Sequence, residues 1–227
     1  MRHFGRSSAV LVAALAAAVL GAATGCSSSS DDDSSGSGSK NSGRNGKKAA
    51  ASAARQVGGE GSPCVLPVTF EPAKSWKPKA VEPIPAGQED HGFNKLLQRG
   101  GVRLVCEIDA KPAGNIGFLK VWTGPKSAAG ASPRTVLEEY LADEIDELRQ
   151  TAYRDIKVGD AGLPATEVVY TLYSKLMEET RKQTAVALAT PEGPVLFQLG
   201  GLDTEEHQEM LPTLELAKKT VRLSTGR

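Results

Sequence analysis

Hydrophobic positions follow three different patterns along this chain. From Ala9 to Leu20 every residue is apolar. From Ser27 to Gly61 large apolar residues are almost absent. From Ser62 onward they return with regular spacing, and that spacing predicts secondary structure. Val65–Phe70 reads as a strand. Val102, Leu104, Cys106 and Ile108 alternate with Arg103, Glu107 and Asp109, the period of a strand with one face in a core. Ile116–Thr123 gives a third strand, closed by Gly124-Pro125. Ser132-Pro133 opens a helix, serine as cap and proline in the first turn, with an apolar stripe of Val136, Leu137, Tyr140, Leu141, Ile145 and Leu148.

Three further strands are expected at Ala165–Tyr173, Lys182–Thr190 and Val195–Leu199. Pro191-Glu192-Gly193-Pro194 turns the last two into a hairpin. Asp203 and Glu206 have capping-box spacing. Pro212 is expected to interrupt this region, leaving a short turn and a second helix over Leu211–Lys219, with Leu223 in an edge strand or tail. The order β-β-β-α-β-β-β-α, with hairpin-length connections, predicts an α+β fold: an antiparallel sheet covered by helices.

The N-terminal run has a different purpose. Arg2, His3 and Arg6 precede it, and Gly21–Gly25 are small residues leading to Cys26. This is the pattern of a signal peptide. Twelve apolar residues make a helix of about 18 Å, short of a hydrocarbon core of roughly 30 Å. Ala23-Thr24-Gly25-Cys26 resembles the bacterial lipobox, with Ala23 where leucine is usual. That resemblance implies a diacylglycerol thioether on Cys26 and cleavage just before it. Plain cleavage, with Cys26 incidental, is the alternative. The chain thus divides into a signal peptide (1–25), a lipidated Ser/Gly-rich tether (26–61) and a globular domain (62–227). The tether sequence cannot bury enough surface to offset its ordering entropy, so disorder is expected, with an average span of roughly 30–35 Å. Its runs Asp31–Asp33 and Lys47–Lys48 are read as solubilising.

Assigning Cys26 to lipid changes the reading of the remaining cysteines. Cys64 and Cys106 are left as a pair, and an oxidising exterior favours a disulfide between them. A reactive thiol pair normally needs close spacing such as C-x-x-C, which is absent. The charge balance, 27 basic against 27 acidic residues, lacks the basic excess of a nucleic-acid binder. Membrane attachment through the lipid, with an envelope lipid or protein as partner, is expected instead.

Candidate chemistry is sparse. His91 and His207 are the only histidines beyond the signal peptide, far apart in sequence, and no zinc-ligand spacing or cofactor motif occurs. No metal, cofactor or catalytic residue is assigned. His207, among Glu205, Glu206 and Glu209, reads as solvated; His91, beside Glu89 and Asp90, reads as a loop residue. The acidic residues from Glu138 to Glu147 read as a solvated helix face. Trp76 and Trp122 are the side chains best able to line a ligand pocket, with a place in the core as the competing reading.

VTFEPAKSW (68–76), GLPATEVVY (162–170) and LELAKKTVRL (214–223) resemble the Mog1/PsbP-like fold and, within it, actinobacterial LpqN-type lipoproteins. The resemblance covers most of residues 64–224. It implies an antiparallel sheet with helices packed around it and an accessory or binding role in the cell envelope, and it carries over no catalytic residue. The segment Val81–Gly101, with its prolines and His91, departs from the compact pattern. Three functions remain as alternatives: a lipid-anchored binding protein without enzymatic activity, an envelope hydrolase using His91 and carboxylates, or a structural or inhibitory surface module.

Overall fold

Ten strands and two helices of ten residues or more make up the computed structural model, which describes residues 56–85 and 96–224. The signal peptide, Cys26, nearly all of the tether and His91 lie outside the described residues. In chain order the elements are β1 (Val68–Thr69), β2 (Lys77–Ala80), β3 (Gln98–Arg99), β4 (Val102–Asp109), β5 (Gly117–Thr123), α1 (Pro133–Ala142), β6 (Glu147–Val158), β7 (Leu163–Ser174), β8 (Glu179–Leu188), β9 (Val195–Gly201), α2 (Thr204–Thr220) and β10 (Arg222–Leu223). The main sheet runs β2-β4-β5-β9-β8-β7-β6, with β3 also on β4, and every pairing is antiparallel. β1 and β10 form a separate two-stranded ladder.

Two apolar layers sandwich this sheet, as an α+β fold requires. α1 lays Val136, Leu137, Tyr140 and Leu141 on Trp122, Val168, Tyr170 and Leu196. On the other face α2 packs Met210, Leu214 and Ala217 with Leu119, Val186, Phe197 and the N-terminal residues Leu66, Val68 and Phe70. β4 contributes to both layers. A bulge between Leu104 and Cys106 shifts its register, so Val102 and Leu104 meet α1 while Cys106 and Ile108 meet the α2 side. Cys106 there bonds Cys64, with Cα atoms 5.8 Å apart.

The first helix starts as its sequence dictates. Ser132 accepts from the Thr135 N–H at 3.1 Å, and Pro133 opens the first turn. It ends at Ala142, earlier than the apolar stripe suggests. Asp143 accepts from the Gly100 N–H at 2.8 Å and Glu144 pairs with Arg99 at 2.6 Å, so the chain is held out of the helix there. Ile145 and Leu148 are consequently exposed, not part of the helix face.

Other expectations need correction. A 12-residue strand, β6, occupies Glu147–Val158 where none was expected; most of its side chains are exposed on both faces, so no alternation marks it. The strand expected over Val65–Phe70 is only Val68–Thr69, flanked by single bridges from Val57 and Gly58. The packed body reaches back before residue 62, because Val57 is 1% exposed and exchanges backbone hydrogen bonds with Phe70. Finally, α2 runs unbroken through Pro212, which sits on its exposed side. Burial of His207, Met210, Thr213, Leu214 and Ala217 along the other side holds the helix together across the missing N–H.

Candidate functional site

A ten-residue helix is about 15 Å long, while strands of up to 12 residues extend for about 40 Å. α1 therefore covers only part of its face of the sheet. Beyond it β5, β9 and β8 present Phe118 and Lys120, Gln198 and Gly200, and Arg181 and Gln183 around an open cleft of about 310 Å³. Ile116 and Leu202 form its apolar rim. Gly200 keeps the floor open, since a Cβ there would lie 2.7 Å from Gln198 Nε2.

The floor is built from amides. Gln183 and Gln198 are buried, and a buried amide is costly unless it is hydrogen-bonded. Gln183 Oε1 accepts from the Tyr170 hydroxyl at 3.0 Å and from Gln198 Nε2 at 2.6 Å. This fixes both amide orientations and leaves the Gln183 Nε2 hydrogens and the second Gln198 Nε2 hydrogen as donors and Gln198 Oε1 as an acceptor, none with a partner among the described residues. Burial holds the Tyr170 hydroxyl well above the usual tyrosine range, so it stays a donor. Tyr140 is likewise raised, chiefly by burial. Beneath α1 the polar groups continue with the Arg99–Glu144 ion pair, whose guanidinium lies 5.5 Å from the Tyr140 ring and 5.7 Å from the Trp122 ring.

Both cations at the cleft are matched by acids. Arg181 bonds Asp146, and Lys120 Nζ is 3.6 Å from Glu107. Arg181 Nε is a further buried donor without a partner among the described residues. The cleft thus combines little net charge, apolar walls and a few fixed hydrogen-bonding groups, a common combination in small-ligand sites.

The two tryptophans do not share a cavity. Trp122 is core on the α1 side, edge-on to Tyr140 at 5.2 Å. Trp76 belongs to the opposite layer and lines a separate crevice of about 650 Å³ between residues 56–63 and 72–78. The preceding Ser75 has φ +76°, an uncommon conformation for a residue with a side chain. His207 is not solvated, contrary to expectation. It is fully buried beneath α2, with Nε2 3.1 Å from Thr184 Oγ1, because the helix turns its glutamates outward and this residue inward. The acidic residues around the end of α1 are largely spoken for: Glu138 pairs with Arg134, Glu144 with Arg99, Asp146 with Arg181 and Glu147 with Arg149. Among the described residues no group of three His, Cys, Asp or Glu side chains is placed to hold a metal, and no helix is long and apolar enough to cross a membrane.

No motif or spacing in the sequence singles out Gln183 as a site residue. For its partner a signal exists: Gln198 is a lone polar residue inside the apolar run VLFQL.

The profile of a family described as "Uncharacterised lipoprotein" matches residues 34–221, most of the chain. The chain belongs to this lipoprotein family. No curated protein matches it. Among solved structures, LpqN of Mycobacterium tuberculosis, described as involved in cell envelope biogenesis, is similar at 13% identity with a TM-score of 0.34, over 69% of this chain and 91% of that one. Cyanobacterial PsbP (CyanoP) from Synechocystis sp. PCC 6803 is similar at 14% identity with a TM-score of 0.39, over 73% of this chain and 96% of that one. Both are of the kind the sequence motifs resemble. At these TM-scores neither adds to the fold, which rests on the antiparallel sheet and its two covering helices.

Proposed function

We propose that this lipoprotein is held on the outer face of the cell membrane by an acylated Cys26 and binds an envelope component in the cleft beyond α1. Family membership and the Ala23-Thr24-Gly25-Cys26 motif support the anchor. The observation that carries the binding role is the Gln183–Gln198 pair, buried, mutually oriented, lining the cleft and left with unpaired donors on both amides and an unpaired acceptor on Gln198. Amides hydrogen-bond without ionising near neutral pH, so such a floor suits recognition better than acid–base chemistry.

Two measurements test this. Radiolabelled palmitate should enter the wild type and not Cys26→Ser, and the variant should leave the membrane fraction. Full-length protein purified from its own envelope should carry an extractable component, identified by mass spectrometry, that Gly200→Leu loses while remaining folded. Equal membrane retention of Cys26→Ser removes the anchor; equal retention of the component by Gly200→Leu removes the cleft.

A further inference from the structure

The composition of the cleft narrows what it holds. Its free amide groups, donors on Gln183 Nε2 and an acceptor at Gln198 Oε1 with one further N–H on Gln198 Nε2, lie on neighbouring strands. Around them the Phe118 ring, Ile116 and Leu202 supply apolar wall, Gly117, Gly200 and Gly201 supply backbone without side chains, and Lys120 and Arg181 are the charged residues of the lining. A sugar presents hydroxyls around its whole rim, and most would face these walls unpaired, at the cost of burying polar groups without partners. A lipid chain would strand both amides. An anion would find both cations already neutralised by acids, Arg181 bonded to Asp146 and Lys120 Nζ 3.6 Å from Glu107, with Arg181 Nε the cationic donor still without a partner among the described residues. A peptide unit, by contrast, has one carbonyl and one N–H, separated by side chains that can be apolar.

We propose that the cleft binds a short, uncharged peptide segment with apolar side chains, its carbonyl accepting from Gln183 Nε2 and its N–H donating to Gln198 Oε1. This rests on the cleft being the binding site, as proposed above. Gly200 is the position that admits the segment, because any side chain there meets the Gln198 and Gln183 amides within 2.7–3.5 Å. At about 310 Å³ the space is at the lower end for small-ligand sites, the scale of a few residues. The segment enters from the sheet face, since β5, β9 and β8 are all interior strands with both edges paired.

The test titrates full-length protein in detergent with the capped peptide acetyl-Leu-Ala-Leu-amide, monitored by isothermal calorimetry or NMR shifts. Saturable binding at or below about 1 mM is expected. N-methylation of the peptide's amides should weaken it about tenfold, the worth of one hydrogen bond. Gln198→Leu should bind the plain and methylated peptides alike, and Gly200→Leu should bind neither, with thermal unfolding confirming that each variant is folded. If Gln198→Leu does not fold, the methylation effect on the wild type still decides. No binding to folded wild type, or indifference to methylation, overturns the proposal, as does saturable binding of neutral oligosaccharides of N-acetylglucosamine at the same cleft. Should the peptide fail while the natural component is still lost from Gly200→Leu, the cleft remains a binding site and only the peptide assignment falls.

Discussion

His207 shows how far one side chain's surroundings can depart from its sequence neighbours. Glu205 and Glu209 are exposed, yet the imidazole between them lies in the core against Thr184. Burial opposes its cationic form, and nearby Lys182 adds repulsion, so its pKa falls to about 4 from the ordinary 6.5. A histidine that takes up its proton more readily when unfolded stabilises the fold in full above pH 6.5, and that contribution is lost as pH drops towards 4. The amount is on the order of 3 kcal/mol. Glu167, whose pKa is lowered below the usual carboxylate value by Lys218 and Arg154 against the opposing effect of burial, extends the loss below that window. Urea unfolding at a series of pH values should therefore show falling stability between pH 6.5 and 4, and His207→Gln should flatten that segment. A flat wild-type profile would contradict the buried neutral state. Neither the burial of His207 nor the pairing of Gln183 with Gln198 was legible in the sequence, because each depends on a face set by long-range packing; only Gln198, a lone polar residue in the apolar run VLFQL, carried a local signal. The Cys64–Cys106 bond was legible, because counting thiols needs no geometry.

Elements were readable where local signals agree with burial. α1 begins where Ser132 and Pro133 say it should, and the two hydrophobic faces of β4 were visible as one alternation, though not the bulge that splits them. β6 was unreadable because its stability comes from pairing with β7, not from a buried face of its own. α2 was misread for the opposite reason: a strong local breaker, Pro212, is outweighed by the residues the helix buries. Because Pro212 is exposed, Pro212→Ala should restore one helix hydrogen bond and stabilise the protein by about 1–3 kcal/mol in chemical denaturation. A loss of stability would mean that Pro212 supports the helix more than its missing N–H weakens it. Gly117 sets how closely α2 approaches the sheet, since a Cβ there would sit 2.3 Å from Met210 Cε and 2.6 Å from the Gly200 carbonyl. Gly117→Ala should cost about 1–3 kcal/mol, measurable as a lower Tm. An unchanged Tm would show that Met210 can swing aside freely.

At the scale of the whole molecule, two apolar layers share one sheet, and a covalent bridge ties the N-terminal segment of one layer to β4. Replacing both cysteines, Cys64→Ser with Cys106→Ser, should destabilise the domain by about 4 kcal/mol in the chain-entropy model for a 42-residue separation. Denaturation of the double variant beside the oxidised wild type measures this directly, and equal midpoints would show that the bridge contributes nothing. The same bridge governs how the domain responds to mechanical load. If the N-terminus is tugged, stripping of the chain stops at Cys64 and the force passes across the sulfurs into β4, bypassing β1 and β2. Stretched between its ends, the oxidised protein should keep about 42 residues, roughly 140 Å of contour, hidden until a reductant releases them.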